Sequence, residues 1–94
     1  MTTKFSEQQV SSALEQVPDW AEINGEITRT YQFENFVDAM AFVNKVADYA
    51  ESAQHHPDIL IRYNKVTLTV STHDAGGITD KDFELATATD GFAG

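Results

Sequence analysis

Helical patterns of apolar and capping residues occur in three segments of the chain. Apolar residues at spacings of three to four predict α-helices over residues 6–16 and 35–53. A third helix is predicted over residues 79–89, where Thr79 and Asp82 have the spacing of a helix cap. The stripe predicted to be buried on the second helix consists of Phe36, Met40, Val43, Ala47 and Ala50.

Two further segments are rich in strand-forming residues and are each interrupted by a turn signal, which predicts two β-hairpins. The first hairpin spans residues 20–33 around Asn24-Gly25, a pair that tolerates the positive φ angles of a type I′ turn. The second hairpin spans residues 59–72, with its turn predicted at residues 64–65.

The predicted element order is α-ββ-α-ββ-α. Isolated hairpins cannot bury their apolar faces, so the two hairpins are expected to join in one sheet. We therefore predict an α+β fold: a single four-stranded antiparallel sheet with three helices packed on one face. A chain of 94 residues is expected to form one domain, which here spans residues 1–94.

The predicted register of the second hairpin brings histidines together. A turn at residues 64–65 places Tyr63 opposite Val66, and the same register continued places His56 opposite His73. The pairs between these are Ile61 with Leu68 and Ile59 with Val70. These pairs are apolar and share one face, so the register is self-consistent.

Two carboxylates are expected near these histidines. Glu51 lies one helical turn before His55, and Asp82 follows the loop that leaves His73. Imidazole titrates near neutral pH, and a neighbouring carboxylate fixes its tautomer. The three imidazoles are those of His55, His56 and His73. Together with two carboxylates at one corner of a sheet, they can both donate and accept protons.

Other interpretations of the same residues are open. A His-His pair before Pro57 is typical of a loop, Asp82 of a helix cap and Glu51 of a solvated helix end. Two or three histidines with a carboxylate also suit zinc or iron. Adjacent His55 and His56, however, tend to point in opposite directions on an extended segment.

Composition narrows the classes of partner. Fifteen Asp and Glu residues against six Lys and Arg residues give a net charge of −9, which argues against direct binding of nucleic acid or an anionic membrane. The chain has no cysteine, which excludes disulfides and zinc–cysteine sites. No apolar segment has the length of a membrane span or the form of a signal peptide, so a cytoplasmic location is expected.

The spacing of the candidate residues also carries a resemblance. The motif residues, in chain order, are Glu51, His55, His56, Pro57, Tyr63, His73 and Asp82. This spacing resembles the signature of the pterin-4a-carbinolamine dehydratases, whose mammalian member is also the dimerization cofactor of a homeodomain transcription factor. The resemblance covers nearly the whole chain and implies the same element order. Ile59 departs from the Trp that is common in the family, a change expected to affect substrate fit.

The resemblance implies an activity and roles. Family members dehydrate 4a-hydroxytetrahydrobiopterin to quinonoid dihydropterin, in tetrahydrobiopterin recycling, without a metal, redox cofactor or covalent intermediate. By resemblance, His55 and His73 are the leading acid and base, and His56 binds and orients the pterin and shares in proton transfer. The residues that the resemblance implies in substrate binding or in orienting the histidines are Glu51, Pro57, Ser71, Thr72 and Asp82.

The resemblance further implies a homodimer or homotetramer. An alternative is a protein-partner-binding module of the same fold, acting as a transcriptional coactivator or an assembly chaperone. The full set of histidines favours the enzyme, because a pure interaction module does not need three imidazoles at this spacing.

Overall fold

The computed structural model describes residues 3–93 and has the predicted order of helices and strands. The elements are α1 (Glu7–Leu14), β1 (Ala21–Ile23), β2 (Glu26–Gln32), α2 (Phe36–Ala53), β3 (Asp58–Arg62), β4 (Lys65–Val70) and α3 (Asp80–Ala93). A short 3₁₀ helix, His73–Ala75, lies between β4 and α3. Within the described range, no helix has the length and apolar character needed to cross a membrane.

The strands form one antiparallel sheet in the order β1-β2-β4-β3, with one face covered. Buried strand residues alternate along the chain and pair across the register, as Ile27 does with Val70 and Tyr31 with Val66. The helices contribute to the same core through Val10, Ala39, Phe42, Val46, Leu85 and Ala86. Because all these residues meet in one cluster, the three helices pack on one face of the sheet, as predicted.

Local sequence signals form where they were predicted. The Ser6 hydroxyl accepts the Gln9 N–H, and Gln9 Oε1 accepts the Ser6 N–H, so α1 begins with a capping box. The side chain of Asn35 caps α2. The first hairpin turns at Asn24 and Gly25, whose φ angles of 53° and 81° are the positive values that a type I′ turn requires.

The predicted buried stripe of α2 is wrong in its orientation. The buried residues of this helix are Ala39, Phe42, Val46 and Ala50. Phe36, predicted to be buried, is 46% exposed, and only Ala50 belongs to both sets. The buried face therefore lies about 75° around the helix from the predicted one. Val43 of the predicted stripe is still partly buried against the core. Apolar residues cover more than one face of α2, so periodicity alone does not determine which face meets the sheet.

The predicted register of the second hairpin is also wrong. The turn lies at Tyr63 and Asn64, so Arg62 pairs with Lys65 and Ile61 pairs with Val66 rather than Leu68. Asn64 is held at the turn by Phe33, whose N–H donates to the Asn64 carbonyl at 2.8 Å. Its side-chain Nδ2 donates to the Phe33 carbonyl at 2.9 Å. Each strand keeps its predicted face, because a shift of two positions preserves the alternation.

The last helix is longer than predicted. It continues past Thr89 to Ala93, whereas the sequence predicts a tail from Gly91 that is frayed unless Phe92 docks. Phe92 packs against Tyr49 of α2 with ring centroids 6.3 Å apart, and this contact stabilises the final turn. Gly94, the end of the predicted tail, lies outside the described residues.

Candidate active site

The end of α2 sets the directions of the two adjacent histidines. Gln54 adopts the left-handed conformation, with φ 54° and ψ 43°, and the N–H of His55 donates to the Ala50 carbonyl at 3.0 Å. This is a Schellman arrangement, which ends the helix sharply. The side chain of Gln54 also donates to the Glu51 carbonyl at 2.7 Å, so Gln54 satisfies a terminal carbonyl of the helix that it ends.

His55 turns inward and contacts α3. Its Nε2 lies 2.6 Å from Oδ1 of Asp82. The two side chains are 11% and 0% exposed, so the pair is largely removed from water. The carboxylate predicted to lie near the histidines therefore contacts one of them directly.

The second oxygen of Asp82 is held by two donors. Its Oδ2 accepts the backbone N–H of Thr79 at 2.8 Å and the hydroxyl of Thr72 at 2.9 Å. Asp82 thus caps the first turn of α3 and contacts His55 at the same time. The sequence left open whether Asp82 is a helix cap or a partner of the histidines. It is both, because Oδ2 caps the helix and Oδ1 contacts His55.

His56 points away from this interior and contacts the helix that precedes it. Its Nε2 lies 2.5 Å from Oε2 of Glu51, and these side chains are 56% and 75% exposed. The adjacent histidines therefore face different carboxylates, one on α3 and one on α2.

His73 lies beyond the end of β4, in the 3₁₀ helix, and is exposed. It is not placed opposite His56, because the observed register continued from Asp58 and Thr69 puts Ser71 there. His73 directly follows Thr72, which donates to Asp82, so the chain brings it next to the residues around His55. That the three imidazoles line one cleft stays a prediction.

The other residues predicted at the site lie at the same end of the sheet. Pro57 immediately precedes β3 and is half-buried, as is Ser71 immediately after β4. Because β3 and β4 pair antiparallel, these two positions face the same sheet end. Within the described part of the chain, no three His, Asp or Glu side chains are grouped to hold a metal ion.

A second carboxylate cluster, which sequence reasoning missed, joins the other end of α3 to the sheet. Oδ1 of Asp90 accepts Trp20 Nε1–H at 2.9 Å, an Arg29 N–H at 2.8 Å and the Tyr31 hydroxyl. Burial, followed by the hydrogen bond to Asp90, raises the pKa of Tyr31 above its ordinary value. The only sequence signal was that Arg29 and Tyr31 alternate onto the same strand face as the core.

A cavity of about 470 Å³ lies at the end of the sheet where β4 ends, between α1 and the first hairpin turn. Its lining includes Phe5, Val10, Glu22 and Gly77, and none of the three histidines contributes to it.

Residues 3–92 match the family profile described as pterin 4 alpha carbinolamine dehydratase. The chain belongs to this family, as the resemblance in the sequence predicted. A protein from Chloroflexus aurantiacus, provisionally named pterin-4-alpha-carbinolamine dehydratase, is 54% identical over 91 residues, covering 97% of this chain and 98% of the relative. A Picosynechococcus protein with the same provisional name is 49% identical over 86 residues, covering 92% and 94%.

Solved structures extend the comparison. A transcriptional coactivator/pterin dehydratase from Brucella melitensis superposes with a TM-score of 0.95 at 32% identity, covering 98% of this chain and 100% of that chain. A pterin dehydratase-like RuBisCO assembly factor of the alpha-carboxysome gives a TM-score of 0.67 at 20% identity, covering 80% and 87%. At that identity the second likeness concerns the fold alone.

Proposed function

We propose that this protein is a 4a-hydroxytetrahydrobiopterin dehydratase, which releases water to form quinonoid dihydropterin in tetrahydrobiopterin recycling. Family membership supports the class of reaction and of substrate. The observation that carries the proposal is the buried contact between His55 and Asp82, beside a second histidine–carboxylate pair. Buried imidazole–carboxylate pairs are a common way to hold a proton carrier in one orientation.

The reaction needs two proton transfers. The 4a-hydroxyl leaves as water, so an acid must protonate it, and the adjacent ring nitrogen loses its proton to a base. In our proposal His55 and His73 are these two groups, because imidazoles exchange protons readily near neutral pH. His56 binds the flat pterin and shares in proton transfer, since its exposed ring is free to meet a ligand.

The remaining residues are proposed to position substrate or histidines. Glu51 orients His56 across their 2.5 Å contact, and Asp82 orients His55 across theirs of 2.6 Å. Pro57 and Ser71 flank the same end of the sheet and are proposed to contact the pterin. Thr72 acts through Asp82, to which its hydroxyl donates.

Contact with another protein is the second candidate function. Val37 and Phe36 expose large apolar side chains at the start of α2, and Leu60 does so on the edge strand β3. The Brucella melitensis relative is named a coactivator as well as a dehydratase. We propose that the chain forms a homodimer or homotetramer in which the exposed start of α2 is a contact between copies. A cytoplasmic location remains our prediction.

The proposed activity is tested by stopped-flow absorbance. The 4a-carbinolamine is generated in place, and quinonoid dihydropterin formation is followed with and without protein. We expect the intact protein to accelerate the reaction well above the spontaneous rate, and His55→Ala and His73→Ala each to lose about 100-fold or more in kcat. Lys65→Ala, an exposed change at the far end of β4, is the matched control. Circular dichroism checks that every variant folds.

Two results test the dehydratase and the self-association separately. No acceleration by the intact, folded protein would overturn the dehydratase. Light scattering on Val37→Asp tests self-association: we expect the assembled form to dissociate, because a charge replaces an exposed apolar contact. An unchanged mass, or a monomeric parent protein, would contradict self-association through α2.

A further inference from the structure

Two buried threonine hydroxyls lie behind the proposed catalytic pair. Thr72, at the end of β4, is 6% exposed, and Thr79, just before α3, is 0% exposed. Their Oγ1 atoms are 2.6 Å apart, and the Thr72 oxygen is also 2.9 Å from Oδ2 of Asp82. Buried hydroxyls in such a network either serve the packing alone or hold a functional group in place.

The direction of these hydrogen bonds follows from counting protons. A carboxylate oxygen only accepts, so Thr72 gives its single hydroxyl proton to Asp82. Thr79 must then donate its own proton to the Thr72 oxygen, while accepting the N–H of Lys81 at 3.2 Å. The hydroxyls therefore form a chain of hydrogen bonds in which Thr79 donates to Thr72 and Thr72 donates to Asp82. Asp82 also accepts a hydrogen bond from the backbone N–H of Thr79 at 2.8 Å.

The acceptor-only carboxylate of Asp82 also assigns the tautomer of His55. With Oδ2 of Asp82 occupied by two donors, Oδ1 accepts from Nε2–H of His55 at 2.6 Å. In the neutral ring the other nitrogen, Nδ1, then carries the lone pair. Across residues 3–93 no fully buried side-chain nitrogen or oxygen lacks a partner, and the hydrogen bond of the His55 ring is made by Nε2, so Nδ1 keeps some exposure to solvent.

The same two hydroxyls also close the loop that carries His73. Thr72 begins this loop and Thr79 ends it. Between them, Thr72 N–H donates to the Gly77 carbonyl at 2.8 Å, and Gly77 N–H donates back at 3.3 Å. The contact between the two hydroxyls therefore fixes the ends of the His73 loop relative to the carboxylate that holds His55.

We propose that Thr72 and Thr79 are positioning residues: their hydroxyls hold Asp82 in contact with the His55 ring, so that His55 stays in the Nε2–H tautomer and presents Nδ1 to the substrate. The inference rests on the proposed function for the identity of that substrate. It assigns the Thr72 hydroxyl to Asp82 rather than to the pterin. It also makes Nδ1, not Nε2, the proton-transferring atom of His55.

The tautomer is measured without substrate, by long-range ¹H–¹⁵N correlation spectra of the ¹⁵N-labelled protein. We expect the neutral His55 ring to be the Nε2–H form. We expect Thr72→Val to convert it into a mixture of tautomers, because Asp82 without this hydroxyl is no longer held in contact with Nε2. Thr72→Ser restores the parent spectrum because it retains the hydroxyl. Thr89→Val removes another buried hydroxyl of α3, away from Asp82, and leaves the His55 signals unchanged. An Nδ1–H ring in the parent protein, or an unaltered ring in folded Thr72→Val, would overturn the inference.

Kinetics separate positioning from substrate contact. We expect Thr72→Val and Thr79→Val to lower kcat about 10-fold with KM unchanged, as removal of partners behind metal-bound histidines does. Thr79→Val tests the same path if Thr72→Val fails to fold. A raised KM at constant kcat would place the Thr72 hydroxyl on the substrate and contradict the inference. If the intact protein accelerates nothing but the tautomer shifts as expected, the dehydratase proposal fails and the positioning role is supported.

Discussion

The protein pairs a histidine with a carboxylate twice within a short stretch, and the two pairs differ in their surroundings rather than in their geometry. The Nε2–oxygen distances are 2.6 Å for His55 and Asp82 and 2.5 Å for His56 and Glu51. Asp82 is fully buried and has two further donors, whereas Glu51 is largely in water. The same contact is therefore fixed by its neighbours in one case and open to solvent in the other.

The difference in burial predicts that one histidine ring is fixed in place and that the other can move. A buried carboxylate held by three donors has one favourable position, so the ring that it contacts is held as well. An exposed ion pair gains little net energy, since water and salt compete with it. We therefore expect His55 to be the fixed proton carrier and His56 to be the ring that adjusts to the substrate.

The largest expected effect is on stability. Asp82→Ala strands buried donors on His55 and Thr72, so we expect it to lower the free energy of unfolding by about 3 kcal/mol. Glu51→Ala, at an exposed position, should change it by less than about 0.5 kcal/mol. Urea unfolding followed by circular dichroism measures both variants. Equal losses would show that burial does not distinguish the pairs.

The Asp90 cluster extends the comparison to the other end of α3. Tyr31 donates to this carboxylate, so Tyr31→Phe should cost about 1.5 kcal/mol at neutral pH. Burial and Asp90 raise the pKa of Tyr31 above its ordinary value of 10.0. Its contribution to stability is thus full below about pH 10 and is lost as the pH rises further, because the unfolded chain ionises first.

The difference in the free energy of unfolding between Tyr31→Phe and the parent protein should therefore become smaller from pH 9 to pH 11. Urea unfolding at each pH measures it. Tyr63→Phe, at an exposed turn position, is the matched control and should change neither the stability nor its pH dependence. A difference in unfolding free energy that stays constant across this range would contradict the raised pKa of Tyr31 in the folded protein.

The smallest expected effect concerns the exposed pair itself. A double-mutant cycle with His56→Gln and Glu51→Gln at pH 5.5 should give a coupling free energy of about 0.3 kcal/mol in low salt, and less in 1 M salt. Coupling of several kcal/mol that resists salt would mean that this pair is as firmly held as the buried one.

The second hairpin shows how far sequence reasoning reached in the fold. Alternation determined which face each strand buries, because that property depends only on odd and even positions. It did not determine the register, since Ile61 packs equally well opposite Leu68 or Val66. The choice depends on Asn64, whose backbone and side chain both bond to Phe33, and this contact between distant segments has no local signal.

At the site, the structure of local segments could be predicted from sequence patterns, and the contacts between distant segments could not. The spacing of Thr79 and Asp82 predicted a helix cap, which the structure contains. The other oxygen of Asp82 contacts His55, and the sequence suggested only that the two would lie near one another. The inward direction of the Thr72 hydroxyl depends on where β4 ends against α3, which no spacing within the chain reveals.

The most direct test of this account compares Asp82→Asn with Glu51→Gln in the dehydration assay, with folding of both verified. Each change removes one carboxylate charge and nearly keeps the side-chain shape. We predict that kcat/KM falls about 100-fold in Asp82→Asn, because His55 loses its fixed orientation, and less than about 5-fold in Glu51→Gln. Equal losses, or the larger loss in Glu51→Gln, would contradict the assignment of the buried pair as the site of proton transfer.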